Sequence, residues 1–94
     1  MAKDDLPTIG RIVHYVLDRG RAVGRCRPAL VVNVMDDASP IVNLVVLLDG
    51  PNDIGAKDVH PTPDDPAPVV MRVGSVHSDN AGRSPGSWHW PERK

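Results

Sequence analysis

Four runs along the chain are dense in valine, isoleucine and leucine, and each is bounded by glycine, proline, asparagine or aspartate. They are RIVHYVL (Arg11–Leu17), PALVVNVM (Pro28–Met35), PIVNLVVLLD (Pro40–Asp49) and PVVMRVGSV (Pro68–Val76). β-branched enrichment, short length and turn punctuation predict strands rather than helices. SWHW, near the end, predicts a fifth. Ten prolines and eight glycines leave little room for a helix.

Alternation assigns faces to these strands. In the third, Val42, Leu44, Val46 and Leu48 share one face, and Ile41, Asn43, Val45 and Leu47 share the other. In the second, Leu30, Val32 and Val34 oppose Ala29, Val31 and Asn33. The two asparagines mark the expected outer face of each strand. Both faces are nonetheless largely apolar, which suits strands covered on the second side by a loop or a partner.

The connections differ in character. MDDASP (Met35–Pro40) predicts a short hairpin link with aspartate turn chemistry. DRGRAVGRCR (Asp18–Arg27) is a longer first loop that carries Arg19, Arg21, Arg25 and Arg27. Residues 50–68 form the longest irregular stretch, with five prolines and four aspartates. A loop of that length in a small domain is usually functional or poorly ordered. HSDNAGRSPG, before the last strand, is turn chemistry throughout. The expectation is one domain over residues 1–94: strands one to three in 6–49, the proline-rich loop in 50–68, strands four and five in 69–91. About five short antiparallel strands with no helix predict an all-β fold, specifically a small SH3-like β-barrel.

Composition changes this picture only by exclusion. At 94 residues the core is thin. Eleven basic and twelve acidic residues give a net charge of −1, so there is no general electrostatic case for nucleic acid or an anionic membrane. No apolar run approaches the roughly 18–20 residues of a membrane span, and the charged start MAKDDLP does not read as a secretory signal. A single cysteine, Cys26, excludes an internal disulfide and a multi-cysteine zinc site, and favours a reducing, cytoplasmic setting.

The candidate chemistry is concentrated at the end. There is no phenylalanine and one tyrosine, yet both tryptophans fall in GSWHWP (Gly86–Pro91). On a strand Trp88 and Trp90 point to one face and His89 to the other. The rings either seal a thin core or form a platform for a ligand or partner, and both hold if Trp88 is mostly buried and Trp90 partly exposed. His14, His77 and His89 lie in or beside strands and could converge, but no histidine has metal-ligand spacing, so no metal site or cofactor is expected. His14 and Tyr15 place two polar-tipped side chains on opposite faces of the first strand. Arg25 and Arg27, with Arg72 from the fourth strand, could form an anion site, or could simply be balanced by the aspartates of the proline-rich loop. Eleven of the twelve acidic residues are aspartates, mostly in predicted turns, and none forms an acid–base pair on rigid strands. Cys26 lies among arginines, and no base is identifiable for it.

Two motifs carry a resemblance. GRIVHYV (Gly10–Val16) and GSWHWPE (Gly86–Glu92), with VNLVVLLDG (Val42–Gly50) between them, resemble a family of small proteins from actinobacterial phages and prophages. The resemblance spans roughly residues 8–92 and implies a phage origin and a small barrel; it brings no activity. A local stretch, RCRPALVVN (Arg25–Asn33), is similar to a segment of plasmid-maintenance ribonuclease toxins, which are also SH3-like barrels. Cys26 interrupts the basic pair of that segment, and the toxins' later catalytic segment has no counterpart.

The resulting expectation is a non-enzymatic phage accessory binding module in the host cytoplasm. It would engage a host protein or sequester a small anionic, nucleotide-like ligand through Trp88, Trp90, His89, His14, Tyr15, Arg25, Arg27 and Arg72. A homo-oligomer is expected, because a chain this short has few ways to cover two apolar sheet faces. The alternatives are a virion or assembly component and a toxin-like ribonuclease.

Overall fold

The computed structural model describes residues 7–36, 39–53 and 69–91. They form one five-stranded antiparallel sheet: β1 (Ile12–Val16), β2 (Cys26–Asp36), β3 (Ser39–Leu47), β4 (Val70–Val76) and β5 (Trp88–His89), in the order β4-β3-β2-β1-β5. The only helical element among the described residues is a 3-10 turn at Gly50–Asn52. The middle of the hairpin link and the bulk of the proline-rich loop lie outside the described residues.

Register follows the apolar alternation. Val13 faces Ala29, which faces Val46. Val31 faces Leu44, which faces Val73. These residues form one core face together with Tyr15, Leu17, Val42, Leu48, Val76 and Trp88. The third strand's inward set is therefore as the alternation predicts. The second strand's is not. Ala29 and Val31 point inward although they share parity with Asn33, and Leu30 and Val32 point outward. The reason is a bulge: the pairing steps from Val31↔Leu44 to Asn33↔Asn43, so Val32 is an extra residue and every side chain after it changes face.

Asn43, expected on an outer surface, is 92% hidden, with a relative exposure of 8%. Its Oδ1 accepts the Ser75 N–H at 2.8 Å. Gly74 and Ser75 bulge out of β4 here, and Ser75 takes a left-handed backbone at φ 54. The asparagine supplies the acceptor that the interrupted ladder no longer offers. Asn43→Ala leaves that N–H without a protein partner and is expected to cost about 1–3 kcal/mol. Thermal unfolding checks this, and Asn43→Asp, which retains the acceptor, is expected to lose less.

Two turns aim the ends of the sheet. The first loop closes where the Gly24 N–H donates to the Leu17 carbonyl, with Gly24 at φ 88. Before β5, the Asp79 carboxylate accepts from the backbone N–H groups of Gly82 and Ser84 and from the Ser84 hydroxyl. Those donors hold its acid constant below the ordinary carboxylate value, the Ser84 hydroxyl contributing most. Past β4 the chain meets β5 again through a parallel bridge between Ser78 and Trp88. The Trp88 N–H donates to the His77 carbonyl, and the Trp88 carbonyl accepts from the Asp79 N–H.

Candidate functional site

The two-residue strand β5 decides where the candidate side chains go. It pairs with β1 as Tyr15↔Trp88 and His14↔His89. Trp88 and Tyr15 therefore enter the core together, and His14 and His89 meet on the opposite face. Both rings lie on the core face, as the spacing predicts, with Trp88 fully buried and Trp90 half-buried. The indoles contact edge to face, with centroids 5.3 Å apart. The Arg11 guanidinium lies over the Trp90 ring at 5.2 Å from its centroid, a cation–π contact at the rim. Tyr15, a candidate contact residue by sequence, is instead core, with 1% exposure. Burial pushes its hydroxyl up to about 12, so it stays neutral and is no acid–base group near neutral pH.

On the outer face the histidines acquire a third neighbour that spacing gave no reason to expect. Cys26 opens β2 opposite Val16, on the same face as His14. Its Sγ is 3.0 Å from His89 Nε2. One ligand atom from each of His14, Cys26 and His89 lies within 4.8 Å of the others. The His14 and His89 rings meet edge to face at 5.3 Å. His89 is fully buried, and the other two are half-buried. His89 Nδ1 lies 2.8 Å from the Trp90 carbonyl oxygen. A carbonyl can only accept, so Nδ1 carries the proton and Nε2 turns its lone pair toward the thiol. A base for Cys26 is therefore present, 63 residues away in sequence. His77 does not join the cluster; it is exposed beyond the end of β4.

The arginines separate. Arg27 faces Tyr15 across the β1–β2 ladder, on the core side. It grips Asp53 with two bonds, Nε to Oδ2 and Nη2 to Oδ1, both 2.6 Å. Its Nη1 donates to the Cys26 carbonyl. Asp53 is fully buried, and its Oδ2 also accepts the Asp49 N–H at 2.7 Å. Its carbonyl accepts the Arg21 N–H. One aspartate thus ties the start of the proline-rich loop to β2 and to the first loop. The fork that would suit a phosphate is already filled by a carboxylate. Arg25 is exposed in the first loop, and Arg72 is exposed on β4 opposite Val45.

The outer face also carries an apolar row that crosses three strands and ends on Arg72 of the fourth. Ile12 pairs with Leu30, Leu30 with Val45, and Val45 with Arg72; beside them Leu47 pairs with Val70. Ile12 is 54% exposed, Leu30 37%, Val32 42%, Leu47 42% and Val70 54%.

Comparison with protein-family models, with curated proteins and with solved structures gave no match for this chain.

Proposed function

We propose that this chain is a non-enzymatic accessory protein of phage type that acts by binding, and that the outer face of its sheet is the contact surface. The observation that carries this is the apolar row Ile12–Leu30–Val45, flanked by Val32, Leu47 and Val70. Single exposed apolar residues are ordinary on a folded surface; neighbouring ones in register across three strands, with Leu47 and Val70 paired beside them, point to an interaction site. The first occupant is a second copy of the chain. An apolar row of this kind can meet its own copy about a two-fold axis, and a thin domain gains by covering it.

The half-buried Trp90 with Arg11 over its ring lies at the rim, and is the surface left for a host protein. A host protein is favoured over a small anionic ligand because Arg27 is committed to Asp53, and Arg25 and Arg72 stand on different elements. The same commitment counts against a ribonuclease reading that rests on Arg27. The finer architecture belongs to the same proposal: an SH3-like barrel is supported by the Ser78–Trp88 bridge, which links the chain beyond β4 to β5 at the other end of the strand order.

Native mass spectrometry of the untagged chain tests this reading. The expected result is a dimer that Leu30→Asp converts to a folded monomer, because a charge at the centre of a desolvated row is strongly unfavourable. A monomer in the unmodified chain overturns it. A retained small molecule that is lost in Arg25→Ala would favour the anionic-ligand reading instead.

A further inference from the structure

We propose that His14, Cys26 and His89 form a zinc site on the outer face of the sheet. Three strands contribute one ligand each: His14 from β1, Cys26 from the start of β2 and His89 from β5. Two imidazoles and one thiolate are a donor set that zinc favours, in a tetrahedral arrangement. With Zn–N near 2.0 Å and Zn–S near 2.3 Å, ligand atoms around a tetrahedral ion stand about 3.3–3.6 Å apart. The three ligand atoms here all lie within 4.8 Å of one another, so side-chain rotations suffice to close on an ion.

The surroundings match such a site. The His89 Nδ1–H donates to the Trp90 carbonyl at 2.8 Å. That bond fixes the ring orientation and presents Nε2 to the cluster, the outer-shell arrangement that metal-bound histidines use. Nε2 already faces Sγ at 3.0 Å; on binding, the metal displaces the thiol proton to solvent, and the thiolate and the free Nε2 lone pair are both left to the ion. His89 is buried while His14 and Cys26 are half-buried, which leaves an open side for the ion to enter and for water as fourth ligand.

The site also has a structural consequence. β5 is two residues long and makes only two ladder pairs with β1. A metal bridging β5 to β1 and β2 would tie down the strand that carries both tryptophans. Because a ligand that binds only the folded state stabilises it, zinc is expected to raise the unfolding temperature.

The test uses the full chain without a polyhistidine tag, loaded separately with Zn2+ and with Co2+. The expected result is one Zn2+ per chain by native mass spectrometry, retained through desalting, together with a rise of several degrees in unfolding temperature. Co2+ should give intense tetrahedral d–d bands and a thiolate-to-cobalt charge-transfer band. Zinc should also slow alkylation of Cys26. Cys26→Ser and His14→Ala should each lose retention of the ion and abolish the charge-transfer band or weaken the d–d bands respectively. Both positions are half-buried, and the cobalt spectrum of the unmodified chain does not depend on any variant folding. Absence of stoichiometric zinc, a cobalt spectrum without thiolate character, or undiminished binding in both variants would overturn the proposal.

Discussion

Replacing Trp88 by alanine is expected to bring the domain to the edge of unfolding at ambient temperature. Trp88 is the largest fully buried side chain, in a protein without phenylalanine. It packs beside Tyr15 and against the edge of Trp90, and its own backbone bonds join β5 to the segment after β4. Truncating a buried tryptophan costs about 3–5 kcal/mol. A domain of this length has roughly 5–14 kcal/mol in total. At about 4–8 °C per kcal/mol, the unfolding midpoint should fall by roughly 12–40 °C. Trp90→Ala removes a half-buried ring at the rim and is expected to cost distinctly less. Calorimetry of the two variants checks this. Equal losses would mean that the indoles share the core evenly and that Trp90 is not a rim residue.

The second large effect concerns Arg27 and Asp53. Arg27→Met leaves a fully buried carboxylate without its cation, and breaking a buried pair in this way costs about 3–5 kcal/mol. Because the Arg27 side chain keeps 26% of its exposure, the lower end of that range, about 3 kcal/mol, is expected. Joining it with Asp53→Leu should recover most of the loss, since an apolar pair needs no compensation. Denaturant unfolding of the two single variants and the double variant measures the coupling.

The same pair sets an acid limit. The Arg27 hydrogen bonds hold the Asp53 carboxyl below its ordinary value; burial opposes them, and the Asp49 N–H reinforces them. A depressed acid constant contributes stability that is fully present above the unfolded value, about 3.9. It is lost as pH falls from there through the folded value. Wild-type stability should therefore decline below about pH 4 with a component that the Arg27→Met, Asp53→Leu variant lacks. Identical acid limbs in both proteins would assign that decline to other carboxylates.

How far the sequence reaches is clearest at particular residues. The strands and the inward set of β3 were legible because period-two alternation and turn residues act locally. That Trp88 and Trp90 share one face was legible for the same reason; how deep each sits depends on the core they close, which alternation does not set. The inward face of β2 was not, because one inserted residue, Val32, reverses the parity, and no residue type announces a bulge. Asn43 looked like a surface residue because the need it meets arises on another strand, at Ser75. For Arg27 the sequence left two readings, an anion site or balance by the aspartates of the proline-rich loop; the structure shows the second with Asp53, whose choice among the four aspartates of that loop no local pattern could make.

The His14–Cys26–His89 cluster illustrates the limit most sharply. Metal-ligand spacing is visible within one helix or one loop, but here each ligand lies on a different strand and only the order β2-β1-β5 assembles them. The usable signal was indirect: VHY and WHW each set a histidine between large apolar residues on a strand. If those strands pair, the histidines must share the face away from the core. The cysteine could then be placed only once the β1–β2 register was known.

Pairing of two copies through the outer face is tested by an isotope-filtered NMR experiment on a mixed sample of labelled and unlabelled chains, which detects only contacts between copies. Intermolecular contacts are expected among the methyl groups of Ile12, Leu30, Val45 and Leu47. Intermolecular contacts confined to another surface, or none at the highest attainable concentration, would contradict it.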